Sequence, residues 1–260
     1  MAKTSKSVKP LQYDYSLMLK GAVGSKGISE AKLKKLAKKT TAAHHASHKL
    51  LDSGEQGFVK TLFSKKDEAQ LTKSVQKLKE RKFKQLLVIG IGGSDLGARA
   101  LQSIFREKVG KQGMEVLFLG DTPDPQEIKR VCKLIDWKHC AINPVSKSGN
   151  TVEPLSVFFY ARKLLIKSVG KEQHARHIFV TTQDQPSLFR NLVNQHGYTL
   201  IPHPQTIGGR WTVLSLVGLV SAAASGIDIH ALKTGAKSFY NKAKKTKEMA
   251  TTGYVRSRST

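Results

Sequence analysis

Three short stretches of the chain gather residues that could hold an anion. The first is Gly90-Ile91-Gly92-Gly93-Ser94-Asp95-Leu96-Gly97. Gly90, Gly92 and Gly93 lack Cβ atoms, so the backbone can turn sharply and come close to a ligand. Ser94 and Asp95 are favoured N-cap residues, and the leucines and alanines behind them read as a helix. With the apolar run 86–89 ahead of it, the stretch reads as strand, glycine turn and helix start. Such a junction aims backbone N–H groups and the positive end of a helix dipole at one point. The glycines alone fit a ligand-free turn equally well. The second stretch, Ser146-Lys147-Ser148-Gly149-Asn150-Thr151, offers hydroxyls, a cation and a glycine that permits a compact nest for a phosphate. Its alternative is an ordinary serine-rich loop capped by Asn150 or Thr151. In the third, Gly208-Gly209-Arg210-Trp211-Thr212, two glycines would let Arg210 turn its fork of donors toward an oxyanion or sugar oxygens. A surface ion pair is the alternative there.

Other chemistries fit less well. A dinucleotide fingerprint beginning at Gly90 needs glycine where Asp95 stands, and no Gly-Lys-Ser/Thr follows to make a P-loop. Cys132 and Cys140 make neither a disulfide framework nor a metal knuckle. His44 and His48 share a helix face, but a metalloprotease helix would carry glutamate where His45 stands. These histidines read as surface residues, and neither cofactor nor metal is expected.

The elements that must position the three stretches follow from periodicity. Short apolar runs at 85–89, 115–119, 140–144, 177–181 and 199–201 read as strands, and 96–108, 125–134, 152–168 and 185–196 as the helices between them. That alternation predicts an α/β fold, a parallel sheet of about five strands covered on both faces. Ligands of such sheets sit outside the carboxyl ends of the strands, where the first two stretches fall. The two should therefore open into one pocket. Ahead of the sheet, 29–51 and 68–81 read as lysine-rich helices, and 228–249 as another behind it.

Composition limits the partners. Apolar residues make up 39% and charged residues 24%, as in an ordinary globular protein. No apolar run approaches the ~20 residues that span a bilayer. The basic start MAKTSKSVKP has no apolar signal core, so a cytoplasmic protein is expected, without a membrane partner. A formal net charge of +25 would suit a polyanion. The lysines are nevertheless scattered, and no arginine-rich arm, zinc finger or helix-turn-helix accompanies them. Nucleic acid is set aside in favour of a solvated, lysine-rich surface.

The three stretches, in this order across roughly residues 80 to 235, resemble the signatures of the glucose-6-phosphate isomerases, which are built on sugar isomerase (SIS) domains. Gly90 to Gly97 is similar to the first, 146–151 to the phosphate loop and 208–215 to the Gly-Gly-Arg-aromatic-Ser block. Asn150 and Pro154 stand where the family usually has threonine, and Thr212 where it has serine. The resemblance implies an SIS-type three-layer sandwich at 81–227, a helical N-terminal extension at 1–80, and a basic helix and tail at 228–260. It implies a cofactor-free aldose–ketose isomerase of glycolysis and gluconeogenesis, interconverting glucose 6-phosphate and fructose 6-phosphate. Gly93, Ser94, Ser146, Lys147, Ser148, Gly149, Asn150 and Thr151 would hold the substrate, and Arg210 would stabilise the enediolate. Nothing after Arg210 resembles the family's glutamate motif or its second SIS domain. The expectation is therefore a truncated or split form that keeps the binding half, with a homodimer or a second polypeptide supplying the rest. A non-catalytic sugar-phosphate sensor or regulatory protein is the first alternative, and a basic nucleic-acid-associated protein the less favoured second.

Overall fold

In the computed structural model, which describes residues 14–55, 57–107 and 113–245, the run before the glycine cluster is strand β1 (Gln85–Ile89). It pairs in parallel with β2 (Glu115–Leu119) on one side and β3 (Cys140–Pro144) on the other. A second parallel pair joins β4 (Phe179–Thr182) to β5 (Thr199–Pro202). Between β3 and β4 only single parallel bridges remain, Ile142 to Ile178 and Val145 to Thr181. Pro144 has no N–H to give to a ladder there, and the Thr181 hydroxyl instead donates to Asn143 Oδ1 at 2.7 Å. Five parallel strands thus follow the expected α/β plan, as ladders of three and two rather than one unbroken sheet.

The helices in chain order are α1 (Lys20–Val23), α2 (Glu30–Ser53), α3 (Lys60–Phe63), α4 (Lys65–Glu80), α5 (Leu96–Ile104), α6 (Pro125–Lys133), α7 (Val152–Val169), α8 (Leu188–His196), α9 (Leu216–Ala224) and α10 (Ile229–Lys245). Strand side chains alternate between two cores, as the two-residue repeat requires. Leu87, Ile89, Ile142, Ile178 and Val180 pack with Val131 of α6, Leu155, Phe158 and Leu165 of α7, and Phe189 of α8. Leu86, Val88, Ala141, Phe179 and Ile201 face the other way, onto Leu71 and Leu78 of α4 and Val217 and Val220 of α9. Burying one such side chain contributes roughly 1.5–3 kcal/mol. The result is a three-layer sandwich with the strand ends left open for loops.

Local chemistry sets the helix ends. Ser64, Asp124, Ser187 and Ser215 each accept a backbone N–H as N-cap of α4, α6, α8 and α9. The Ser187 cap starts α8 at Leu188, leaving Gln183 and Gln185 in a loop. Likewise a 3-10 turn at His174–His177 delays β4 to Phe179.

The chain divides into two compact units. Gly54–Ala236 contains every strand among the described residues, and the other unit comprises residues before and after it. In that second unit, Asp52 of α2 accepts from Lys244 Nζ at 2.9 Å and from the Tyr240 hydroxyl at 3.1 Å of α10. His44 Nε2 donates to the Ala243 carbonyl at 3.0 Å, so His44 is partly buried and hydrogen-bonded rather than a bare surface residue. Among the described residues no helix is long and apolar enough to cross a membrane. The end of the expected helix 228–249, from 246 on, lies outside those residues.

Candidate functional site

Beyond the ends of β1, β3 and β4 lies a cavity of about 300 Å³, lined by Ile91, Ser94, Val145, Ser146, Lys147, Ser148, Thr151, Pro154, Gln183 and Gln185. The glycine turn and the serine loop therefore share one pocket. Ser94 closes the 3-10 turn Gly92–Ser94, and its hydroxyl has no partner among the described residues. This turn is fixed from behind by the third stretch. A Cβ on Gly93 would run into the backbone of Gly209, and the buried Thr212 hydroxyl reaches the carbonyls of both Gly93 and Gly209. Glycine is required at 93 for packing between two turns.

Asp95, expected to cap α5, does not do so. It is fully buried, and its Oδ2 takes the Arg99 guanidinium at 2.6 Å. Burial pushes its carboxyl above the usual range, and Arg99 opposes that. Its Oδ1 has no hydrogen-bond partner among the described residues. Asp95 therefore anchors the start of α5 from inside and stays out of the cavity.

The serine loop is held by its own hydroxyls. Ser146 Oγ accepts from Gly149 N at 3.1 Å and lies 2.8 Å from Thr151 Oγ1. Ser148 Oγ accepts from Asn150 N at 3.3 Å. Asn150 faces away from the cavity and caps a neighbour, its Oδ1 accepting from Leu188 N at 2.9 Å. Gly149 sits behind the lining, at the positive φ of +71° that a compact nest needs. Thr151 begins α7 without a side-chain cap bond, so its hydroxyl stays on the cavity side. Lys147 lines the cavity while donating from Nζ to the Ile207 carbonyl at 2.9 Å, which ties the loop to the segment before Gly208.

Arg210 lies in the 3-10 turn Gly209–Trp211, which packs against Gly92–Ser94. The side chain is exposed, does not line the cavity, and makes no hydrogen bond or ion pair among the described residues. Trp211 next to it stacks on Phe58 with ring centroids 4.9 Å apart. Two lining residues escaped the sequence reading, Gln183 and Gln185. A Gln-Asp-Gln run before a helix has no signature of its own; only the end of β4 beside β3 places it here. The arrangement is rich in neutral donors, carries one cation, and has no carboxylate or imidazole on its lining. It can bind an oxyanion. Among the described residues no carboxylate or imidazole lines it to take a carbon-bound proton.

The fold and this site define an α/β protein with a pocket lined by hydroxyls, amides and one ammonium at the ends of parallel strands. Among known proteins, the model of the phosphoglucose isomerase family matches residues 63–250. The chain belongs to that family. It is 32% identical over 237 residues to a glucose-6-phosphate isomerase of Shouchella clausii, covering 87% of this chain and 51% of that protein. To the glucose-6-phosphate isomerase of Bacillus cytotoxicus it is 35% identical, covering 82% and 50%. The chain thus spans about half the length of the curated relatives it matches. A hypothetical protein of Thermus thermophilus superposes with a TM-score of 0.65 at 27% identity, over 81% of this chain and 51% of that one. A glucose-6-phosphate isomerase of Chlamydia trachomatis shares the fold, with a TM-score of 0.57 at 24% identity over 72% and 34%.

Proposed function

We propose that this chain carries the sugar-phosphate-binding half of a glucose-6-phosphate isomerase site, taking glucose 6-phosphate and fructose 6-phosphate as ligands. The observation that carries this reading is the single cavity lined by Ser94 from one turn and by Ser146, Lys147, Ser148 and Thr151 from the next strand end. A phosphate monoester is an acceptor-only anion, and hydroxyls, an ammonium and helix-start amides are suited to it. In this reading Gly93 holds the first turn in place, Gly149 shapes the second, and Asn150 ties it to α8. Arg210 stands free on the turn packed against Gly92–Ser94 and stabilises the negative charge of an enediolate once a sugar occupies the site. The working unit is the sandwich at 81–227, preceded in sequence by the N-terminal extension at 1–80 and followed by the basic segment at 228–260, acting in the cytoplasm.

Isomerisation needs a base beside the carbonyl carbon, and such acid–base help is typically worth ~10²–10⁴ in rate. The cavity lining holds no carboxylate or imidazole. The missing groups would then come from outside this lining, for example from a second copy or a separate polypeptide. The chain by itself binds both sugar phosphates weakly and turns over neither. Calorimetric titration with each ligand, beside a coupled isomerase assay on the same preparation, tests this. Robust turnover by the lone chain would place a base within these residues and refute the half-site reading. Absence of any binding would refute the ligand class.

A further inference from the structure

We propose that Gln183 is a direct donor to the phosphate group of the bound sugar phosphate, and that Gln185 is the positioning residue that aims it; this rests on the sugar-phosphate reading of the cavity. Gln183 follows β4 and is only 7% exposed, yet it lines the cavity. Its backbone N–H donates to the Lys147 carbonyl at 3.3 Å, which fastens it to the serine loop. Its side-chain Oε1 accepts from Gln185 Nε2 at 2.8 Å. Its Nε2 carries two N–H groups that have no acceptor among the described residues. That nitrogen is reached by solvent on the cavity side, where an incoming anion can take the place of water. A sugar hydroxyl brings a proton of its own and is satisfied best by a residue that can both give and take. With its oxygen turned to Gln185, Gln183 meets the ligand through N–H donors, which matches an acceptor-only phosphate.

The serine loop leaves room for such a donor. Ser146 and Thr151 bond each other, so one of their two hydroxyl protons is already engaged. One proton of Lys147 goes to Ile207. Pro154 lines the cavity from the first turn of α7 and has no N–H to offer. The loop therefore falls short of the donors that the three terminal oxygens of a phosphate can accept. The amide of Gln183 reaches the pocket from the next strand end, and being neutral it is desolvated at less cost than another charge.

The test uses the full chain and its Gln183→Leu, Gln183→Glu and Gln185→Ala variants, titrated with inorganic phosphate, glucose 6-phosphate and glucose. Loss of a hydrogen bond to a charged group predicts about ten- to a hundredfold weaker binding of both phosphates for Gln183→Leu. Gln183→Glu, nearly isosteric, weakens them at least as much, because its carboxylate repels the anion. Gln185→Ala leaves the donor present but unaimed and gives a smaller loss. Urea midpoints confirm that each variant is folded, and should the leucine variant fail to fold, the glutamate variant decides. Folded variants with parental affinity overturn the role of Gln183 and leave the ligand class standing. A parent chain that binds neither phosphate overturns both.

Discussion

Replacing Gly149 with alanine should damage the pocket and the stability together, by an amount that a second glycine can calibrate. Gly149 has φ +71°, and a Cβ there would meet Thr182 Oγ1 and the Ser187 Cβ at 2.8 Å, with Ser187 Oγ nearer still. The left-handed backbone costs an L-residue roughly 1–2 kcal/mol. Ser187 must also move, yet its Oγ accepts from Arg190 N at 3.2 Å as the cap of α8. Losing a cap costs roughly 0.5–2 kcal/mol, for about 1.5–4 kcal/mol in all. Gly197 ends α8 at φ +68° with nothing within 4 Å of its imagined Cβ. Gly197→Ala should therefore show the backbone cost alone, with the excess at Gly149 being the displaced Ser187. Urea midpoints of both variants, at unchanged slope, give that difference. Gly149 also donates to Ser146 and accepts from Phe189 N at 3.0 Å, so its displacement shifts the Ser146–Thr151 pair. Phosphate affinity should then fall about tenfold or more in the Gly149 variant, and remain parental in Gly197→Ala. Equal destabilisation of the two variants, or parental phosphate binding by Gly149→Ala, would refute the reasoning.

Lys147→Ala should weaken titrated phosphate about tenfold, because it removes a cation from the pocket wall and frees the Ile207 carbonyl; binding unchanged by the substitution would show that the ammonium serves only the loop. Stability should fall as the pH drops below about 6.5. Burial holds the imidazoles of His177 and His203 below their ordinary value, so the unfolded chain takes up protons first and stability is lost from 6.5 downward toward the folded values. Urea midpoints measured between about pH 7 and pH 5 should decline, and His203→Gln should flatten the curve; a flat parental curve would refute the assignment.

Much of the fold was legible because each strand is bounded by something unambiguous. β1, β2 and β3 end at a glycine turn, at Gly120 and at Pro144 with the serine loop, and their observed limits match the apolar runs. The start of β4 was misplaced because His177-Ile178 reads as strand by pattern. The preceding residues instead close a 3-10 turn, and His177 Nδ1 donates to the Cys140 carbonyl at 2.8 Å. The gap between β3 and β4 could not be read either. It depends on a proline that is harmless to the β1 side of β3 and costly only on the side that faces β4.

Legibility of the site follows a different rule, that residue type states a capacity and only packing decides how it is used. Ser94, Ser146, Ser148 and Thr151, singled out by type, all line the cavity. Asp95 had the type of an N-cap but is drawn inward by Arg99, one helical turn on, a partner the sequence offers at the i+4 spacing of ordinary surface pairs. Asn150 and Gly149 act one step behind the lining, as the tie to α8 and the turn that positions Ser146. Lys147 divides its ammonium between cavity and loop. Gln183 became visible only once β4 lay beside β3, because its backbone bond to Lys147 joins residues 36 apart in number but adjacent in space. A donor set assembled from three strand ends is thus partly encoded in motifs and partly in sheet order. Substitutions behind the lining should accordingly act on ligand affinity through the turns they hold, in proportion to how tightly those turns are packed.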